Sequence, residues 1–207
     1  MEINLADVIR SSYVMIILLI CSVFVFIFAL ERFWFLHKCS VDADSFMKKL
    51  KTQVTNKSYE EAIRMCEQKD KPLFNVIKIG IMNRSLKKED IEELMESARL
   101  IERSRMEKFI QFLGTMGAIA PLMGLYGTVT GLVRAFSDLA LSGSAGPSVV
   151  AAGISEALYT TVGGLALAMP TVMLFNYFNG QIRRINTDIE IHSKRLLVWI
   201  SESEKSS

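Results

Sequence analysis

The chain is 207 residues long, 50% hydrophobic and 22% charged, with a formal net charge of +2. So small a charge is no argument for nucleic-acid binding or for a polybasic membrane tether. Mean hydropathy is only mildly positive, as expected of a chain that mixes very apolar segments with ordinary soluble ones.

Residues 1–10, MEINLADVIR, carry two acids and one arginine. Residues 11–30, SSYVMIILLICSVFVFIFAL, then run uncharged for twenty positions. A helix crosses a hydrocarbon core with about 20 residues, so a first span is expected over 11–33. It does not read as a cleaved signal peptide: the n-region is not basic, the apolar run is too long, and no small-residue cleavage site follows.

The segment 34–108 is the charged middle of the chain, and residues 31–108 hold 17 Lys/Arg and 14 Asp/Glu. It reads as short amphipathic helices. Phe46, Leu50 and Val54 repeat at i+4. Ser58 followed by Glu61 is a capping box, opening a helix with Tyr59, Ala62, Ile63 and Cys66 inside. Pro72 would start another, with Leu73, Val76, Ile77 and Ile81 apolar. Between Lys88 and Lys108, Ile91, Leu94, Ala98 and Ile101 alternate spacings of three and four. No Gly or Pro separates this stretch from the next apolar run, so one continuous helix is expected from near residue 88 to near residue 136.

Residues 109–133 are uncharged and predict a second span over 109–136. The connection that follows has Asp138 and Glu156 but no Lys or Arg, and a loop is expected over 137–150. Residues 157–182 are again uncharged, giving a third span over 151–182. Arg183, Arg184, Lys194 and Arg195 come next, in a C-terminal helix and tail, 183–207. There Ile182, Ile185, Ile189, His192, Leu196 and Trp199 form a heptad-like seam. It should pack on the extension of span two or on a copy of itself. Lys and Arg mark cytoplasmic flanks, which places 34–108 and 183–207 inside and both the N-terminus and the 137–150 loop outside. The expected fold is an all-α membrane protein, three transmembrane helices with long cytoplasmic helical extensions.

Cys21, Cys39, Cys66, His37 and His192 match no zinc or redox spacing and are read as structural, so no metal site and no cofactor is expected. A nucleophile–base pair and a phosphate loop are also missing from the pattern, and the chain is not expected to be an enzyme.

The chemistry lies in spans two and three. Gly117, Pro121, Gly124, Thr128, Gly131 and Ala135 follow one another at spacings of 4, 3, 4, 3 and 4 and share a helix face. Ala157, Thr161, Gly164, Ala168 and Thr171 repeat the pattern in span three. Small stripes let apolar helices approach closely, and this alone would zip the two spans together. Depth adds a second reading. Thr128 and Thr161 sit near the outer ends of oppositely directed spans, at nearly one level, with Glu156 and Arg134 about one and a half helical turns further out. An ionisable residue there is a functional candidate by default, and Arg134–Glu156 is a candidate ion pair. Hydroxyls at one level beneath an acid suggest a lined polar path, with Thr128, Thr161 and Glu156 along it. Two helices cannot enclose a path, so a ring of subunits or an inserted partner helix is implied. Thr130 falls off the stripe and is expected to bond its own helix.

The motifs APLMGLYGTVTGLVRAF and AAGISEALYTTVGGLALAMPTVMLFNYF resemble the ExbB/TolQ/MotA proton-channel family, in its three-span ExbB/TolQ branch, over roughly residues 110–182. LERFWFL at 30–36 is similar, more weakly, to the end of that family's first span. The resemblance implies a pentameric ring in a bacterial inner membrane, with a periplasmic N-terminus and a cytoplasmic C-terminus. It also implies an ExbD/TolR-like single-span partner inside the ring, whose intramembrane Asp receives the proton. A TonB/TolA-like periplasm-spanning protein would then take up the work. By motif, Thr128 and Thr161 match the family's pore threonines and Glu156 its pore-side acid; Arg134 falls where members vary. The short N-terminus is closer to the TolQ side. Two readings compete with a proton-driven motor: a non-conducting scaffold that binds a single-span partner, and a sodium-driven or gliding-type motor of the same family.

Overall fold

The computed structural model describes residues 13–142 and 147–205. The expected N-terminal segment 1–10, the middle of the 137–150 connection and the last two residues lie outside them. Seven helices make up the described secondary structure, with no strand among the described residues: α1 Tyr13–Cys39, α2 Ala43–Thr55, α3 Tyr59–Glu67, α4 Pro72–Met82, α5 Lys88–Glu107, α6 Ile110–Ser142 and α7 Pro147–Lys205. Three stretches, beginning at Tyr13, Ile110 and Val150, are long and apolar enough to cross a membrane. The chain forms two compact units. One combines α1 up to Glu31 with Phe109–Tyr177, and the other combines Arg32–Lys108 with the chain from Phe178 onward.

In the first unit, α1 lays a narrow edge on its neighbours. Val14 and Leu18, one turn apart, pack with Ala120 of α6 and Ala168 of α7, flanked by Met123 and Leu167. Val25 and Ala29 continue the buried edge, while Ile16, Ile20, Val23, Phe26 and Ile27 are exposed. A helix so apolar on its outward face is unsuited to water and suited to lipid. Near the end of this stretch Phe28 stacks on Phe109 with centroids 4.6 Å apart and meets Phe112 edge-on at 5.0 Å.

The second unit is packed like a soluble bundle. Leu50, Val54, Val76, Ile77 and Ile81 from the short helices and Ile189 and Leu196 from α7 are fully buried. Gly80 lets α4 approach closely, since a Cβ there would come within 2.5 Å of Met95 Sδ and 3.0 Å of Leu196 Cδ2. Burial pushes the Cys66 thiol up to about 12 and the Cys39 thiol up to about 11, so neither is a thiolate at neutral pH.

Helix starts follow local chemistry, with one exception. Asp42 caps α2 by accepting from Ser45 N–H at 3.1 Å. Pro72 opens α4 at the position expected for it. Ser58 stands at the N-cap of α3, but its side chain makes no capping bond, so the expected capping box is not formed. Lys57 before it is left-handed at φ 58° and Ser58 sits at φ −82°, ψ 60°, away from the extended geometry that aims an N-cap hydroxyl.

The continuous helix expected from residue 88 to 136 is broken. α5 ends at Glu107, Lys108 turns to ψ 133°, and Phe109 takes a left-handed φ of 64° before α6 starts at Ile110. The cause is tertiary. Arg32, 3% exposed, donates to the carbonyls of Arg105 at 3.2 Å and Met106 at 3.3 Å, satisfying acceptors that the last turn of α5 leaves open. The buried face of α5 also differs from expectation: Ile91, Met95, Ala98, Glu102 and Met106 are inside, while Leu94 is 39% and Ile101 69% exposed. Arg99 helps fix that rotation, gripping Glu96 at 2.6 Å and reaching Glu190 of α7 at 3.4 Å.

The α7 seam is buried at Ile182, Ile185, Ile189, His192 and Leu196, as its heptad spacing predicts. Its partners are broader than expected. Besides α5, it meets α4 through Leu196, α3 through Ser203, whose hydroxyl lies 3.1 Å from that of Tyr59, and α2 through Trp199, under the Lys51 ammonium at 5.6 Å. No second copy is needed to cover it. The segment expected as a loop over 137–150 is helical to Ser142 and again from Pro147.

Candidate functional site

In the first unit, the stripes of α6 and α7 meet face to face. A Cβ on Gly117 would press on Val172, one on Gly131 on Ala157, and one on Gly124 on the backbone of Thr160 and Thr161 at 2.8 and 3.0 Å. Gly164 is tighter still, 2.5 Å from Ala120 O and 3.0 Å from Gly124 Cα by the same construction. The glycines therefore bring two backbones together within one chain, the close approach that small residues allow in apolar helices. Ala168 and Thr171 continue the buried stripe, and the Thr171 hydroxyl donates to Leu167 O at 2.6 Å in its own helix. Pro121 is half-buried.

Where the backbones are closest, three hydroxyls gather around one carbonyl. Thr128 Oγ1 and Thr161 Oγ1 lie 3.2 Å apart. Gly124 O is 3.4 Å from Thr128 Oγ1, 3.0 Å from Thr160 Oγ1 and 3.2 Å from Thr161 Oγ1. Thr128 also donates to Leu125 O at 2.7 Å and Thr160 to Ala157 O at 2.7 Å. Such short contacts persist in an apolar helix pair because an unpaired hydroxyl there is costly. Thr130 bonds back to Tyr126 O at 2.9 Å, within its own helix.

Beside the cluster is a recess of about 100 Å³ lined by Arg134, Asp138 and Glu156 together with Tyr13, Thr130 and Thr160. The structure thus brings Arg134 and Glu156 to one cavity, yet among the described residues no ion pair joins them; Arg134 is exposed and Glu156 half-buried. The expected pairing is replaced by a shared recess. Asp138 is a third ionisable group there, on the same α6 face as Arg134 one turn on.

Thr160 lies outside the stripe expected of span three, although it is 1% exposed and makes the shortest contact between the helices to Gly124 O. The signal was available. Ala157, Thr160, Gly164, Ala168 and Thr171 run at 3, 4, 4 and 3 and share a face as well as the register through Thr161 does.

Three apolar spans, a glycine-closed helix pair and a seam of hydroxyls opening on charged residues define a multi-pass membrane protein with a polar strip inside its helix pair. Residues 52–191 match the MotA/TolQ/ExbB proton channel family, and the chain belongs to that family. A biopolymer transport ExbB homolog of Methanothermobacter thermautotrophicus is 33% identical over 183 residues, covering 86% of this chain and 63% of that one. The biopolymer transport protein ExbB of Salmonella typhimurium is 45% identical over 71 residues, 34% of this chain and 29% of its own. The Tol-Pal system protein TolQ of Pseudomonas aeruginosa is 38% identical over 93 residues, 45% and 40% respectively. The chain spans less than two thirds of the length of each of these three relatives.

Proposed function

We propose that the chain is the channel subunit of an ExbB–ExbD or TolQ–TolR type motor, using proton-motive force for transport or envelope work at the outer membrane. In this reading five copies form a ring in a bacterial inner membrane, N-terminus periplasmic and C-terminus cytoplasmic. The ring encloses a single-span partner whose intramembrane Asp accepts the proton, and a TonB/TolA-like protein spanning the periplasm takes up the force. The chain itself carries no intramembrane carboxylate between residues 109 and 137, nor between 157 and 187, so it can line a proton path but needs a partner to hold the proton. No cofactor and no enzymatic step enters the reading.

The observation that carries it is the approach of Thr128 and Thr161 to 3.2 Å, next to a recess lined by Thr160 and Glu156. Hydroxyls both donate and accept, and can pass a proton along a chain of hydrogen bonds in a way that aliphatic side chains cannot. The scaffold reading draws on the glycine contacts, which close the helix pair with no ion involved. The two separate in cells carrying Thr161→Ala or Glu156→Gln. A motor subunit assembles with its single-span partner, at wild-type size, and fails to do work; a scaffold assembles and works. Normal work from both variants overturns the proposal. The oxygen-only cluster suits sodium as well as protons, and dependence of the work on sodium at fixed pH identifies that variant of the family.

A further inference from the structure

We infer that Thr160 is a positioning residue for the ion path, its hydroxyl setting which way the hydrogen bond between Thr128 and Thr161 runs; the inference rests on the proton-channel reading above. Thr160 is the one hydroxyl common to both features: it lines the recess with Arg134, Asp138 and Glu156 and also reaches Gly124 O. Thr128 and Thr161 touch only the second.

A hydroxyl has one proton to give and a carbonyl oxygen two lone pairs. The helical ladder of α6 brings the Thr128 N–H to Gly124 O, leaving one lone pair. Thr160 can use it at 3.0 Å, or turn to Ala157 O at 2.7 Å. Thr161 has the same carbonyl at 3.2 Å and Thr128 Oγ1 at 3.2 Å. When Thr160 donates to Gly124, Thr161 is left to donate to Thr128, and the pair points from α7 to α6. When Thr160 turns to Ala157, the carbonyl is open to Thr161, whose oxygen then presents its lone pairs to Thr128. Thr128, which otherwise donates to Leu125 O at 2.7 Å, turns to Thr161 in the second arrangement. The two thus differ by the rotation of three hydroxyls led by Thr160, without movement of the backbone.

The surroundings restrict Thr160 to that rotation. It is 1% exposed, and Gly127 lies so close that a Cβ there would meet Thr160 Cβ at 2.6 Å. The side chain is clamped and its O–H bond is the remaining freedom. Both acceptors of Thr160 are carbonyls, which have no proton to hand on, so Thr160 acts by setting the direction of the Thr128–Thr161 bond and is not itself a link in the route.

The test compares the purified complex, with its partner, as wild type and as Thr160→Val, Thr160→Ser and Thr161→Val, by the rate of proton uptake into liposomes under an imposed pH gradient and by complex size. Valine keeps the shape without the hydroxyl, and serine keeps the hydroxyl without the methyl. Uptake should fall about tenfold in Thr160→Val at unchanged size, the weight of one buried hydrogen bond, and return in Thr160→Ser. Wild-type uptake in Thr160→Val overturns the inference, as does equal loss in the valine and serine variants. If Thr160→Val fails to assemble, Thr160→Ser decides alone: wild-type uptake supports the inference and a valine-like loss sinks it. Loss in Thr161→Val with full uptake in Thr160→Val leaves the channel reading standing and removes only this one, whereas no uptake in the wild type removes both.

Discussion

The two units of this molecule solve the packing problem in opposite ways. In the Arg32–Lys108 unit, large side chains such as Leu50, Ile77 and Leu196 are fully buried and salt links such as Arg99–Glu96 hold the surface. In the unit formed by Phe109–Tyr177 with the start of the chain, the pairing of α6 with α7 rests on glycines, some of them set directly against backbone. Gly124, Gly164 and Ala120 meet backbone to backbone, and hydroxyls rather than ion pairs join the helices. The difference follows from solvent. Water drives large apolar groups together, whereas in hydrocarbon helices gain by fitting closely and by pairing their polar groups. A surface chosen for close fit also leaves room for hydroxyls to line up, which is how packing and an ion path can share one stripe.

The contrast predicts opposite responses to small changes in side-chain volume. In the soluble-type unit, removing volume should hurt most: Ile77→Ala should cost about 4 kcal/mol, read as lost amide protection across α4 in hydrogen exchange of the full chain. In the membrane-type unit, adding volume should hurt. Gly164→Ala introduces one methyl against the Ala120 carbonyl, which is backbone and cannot swing aside, and should cost about 3 kcal/mol. A Gly164→Ala protein with wild-type thermal stability in detergent would break the comparison. Arg32→Ala should cost about 2 kcal/mol, because the carbonyls of Arg105 and Met106 lose a charged donor; faster exchange confined to the last turn of α5 is the signature.

The smallest effect is a pH dependence in the soluble-type unit. Burial first, then the nearby Arg195 charge, lowers the His192 pKa, against the opposing pull of Asp44 and Asp188. A depressed folded pKa means that the unfolded chain takes up the proton more readily. Stability from neutral His192 is therefore full above the unfolded pKa of about 6.5 and is lost as pH falls below it toward the folded value. Thermal melts of wild type and His192→Gln between pH 7.5 and 5 should converge at the acid end, and parallel curves would contradict the assignment.

What could be read in the sequence was what depends on neighbours along the chain. Uncharged runs marked three apolar helices, Pro72 marked a helix start, and the Gly–Thr spacing put Thr128 and Thr161 on facing stripes. What could not be read depends on contacts distant in sequence. Nothing around Lys108–Phe109 announces a break, because no Gly or Pro is present; the cap comes from Arg32, more than seventy residues earlier. The rotation of α5 could not be chosen from Leu94 and Ile101 against Met95 and Glu102, since each register carries apolar residues and the partners of buried Glu102 include Asn75, which donates to it at 2.7 Å from another helix. Thr160 escaped for a related reason: adjacent threonines fit two registers of one face, and only the fit against Gly127 shows that both are used.

The proposed route for protons runs past the Thr128–Thr161 contact. The most direct measurement is proton uptake by liposomes carrying the purified complex, wild type against Thr161→Val, at equal subunit content and complex size. Uptake in the wild type should respond to the imposed gradient and be abolished in Thr161→Val. Equal uptake by the two would contradict this route.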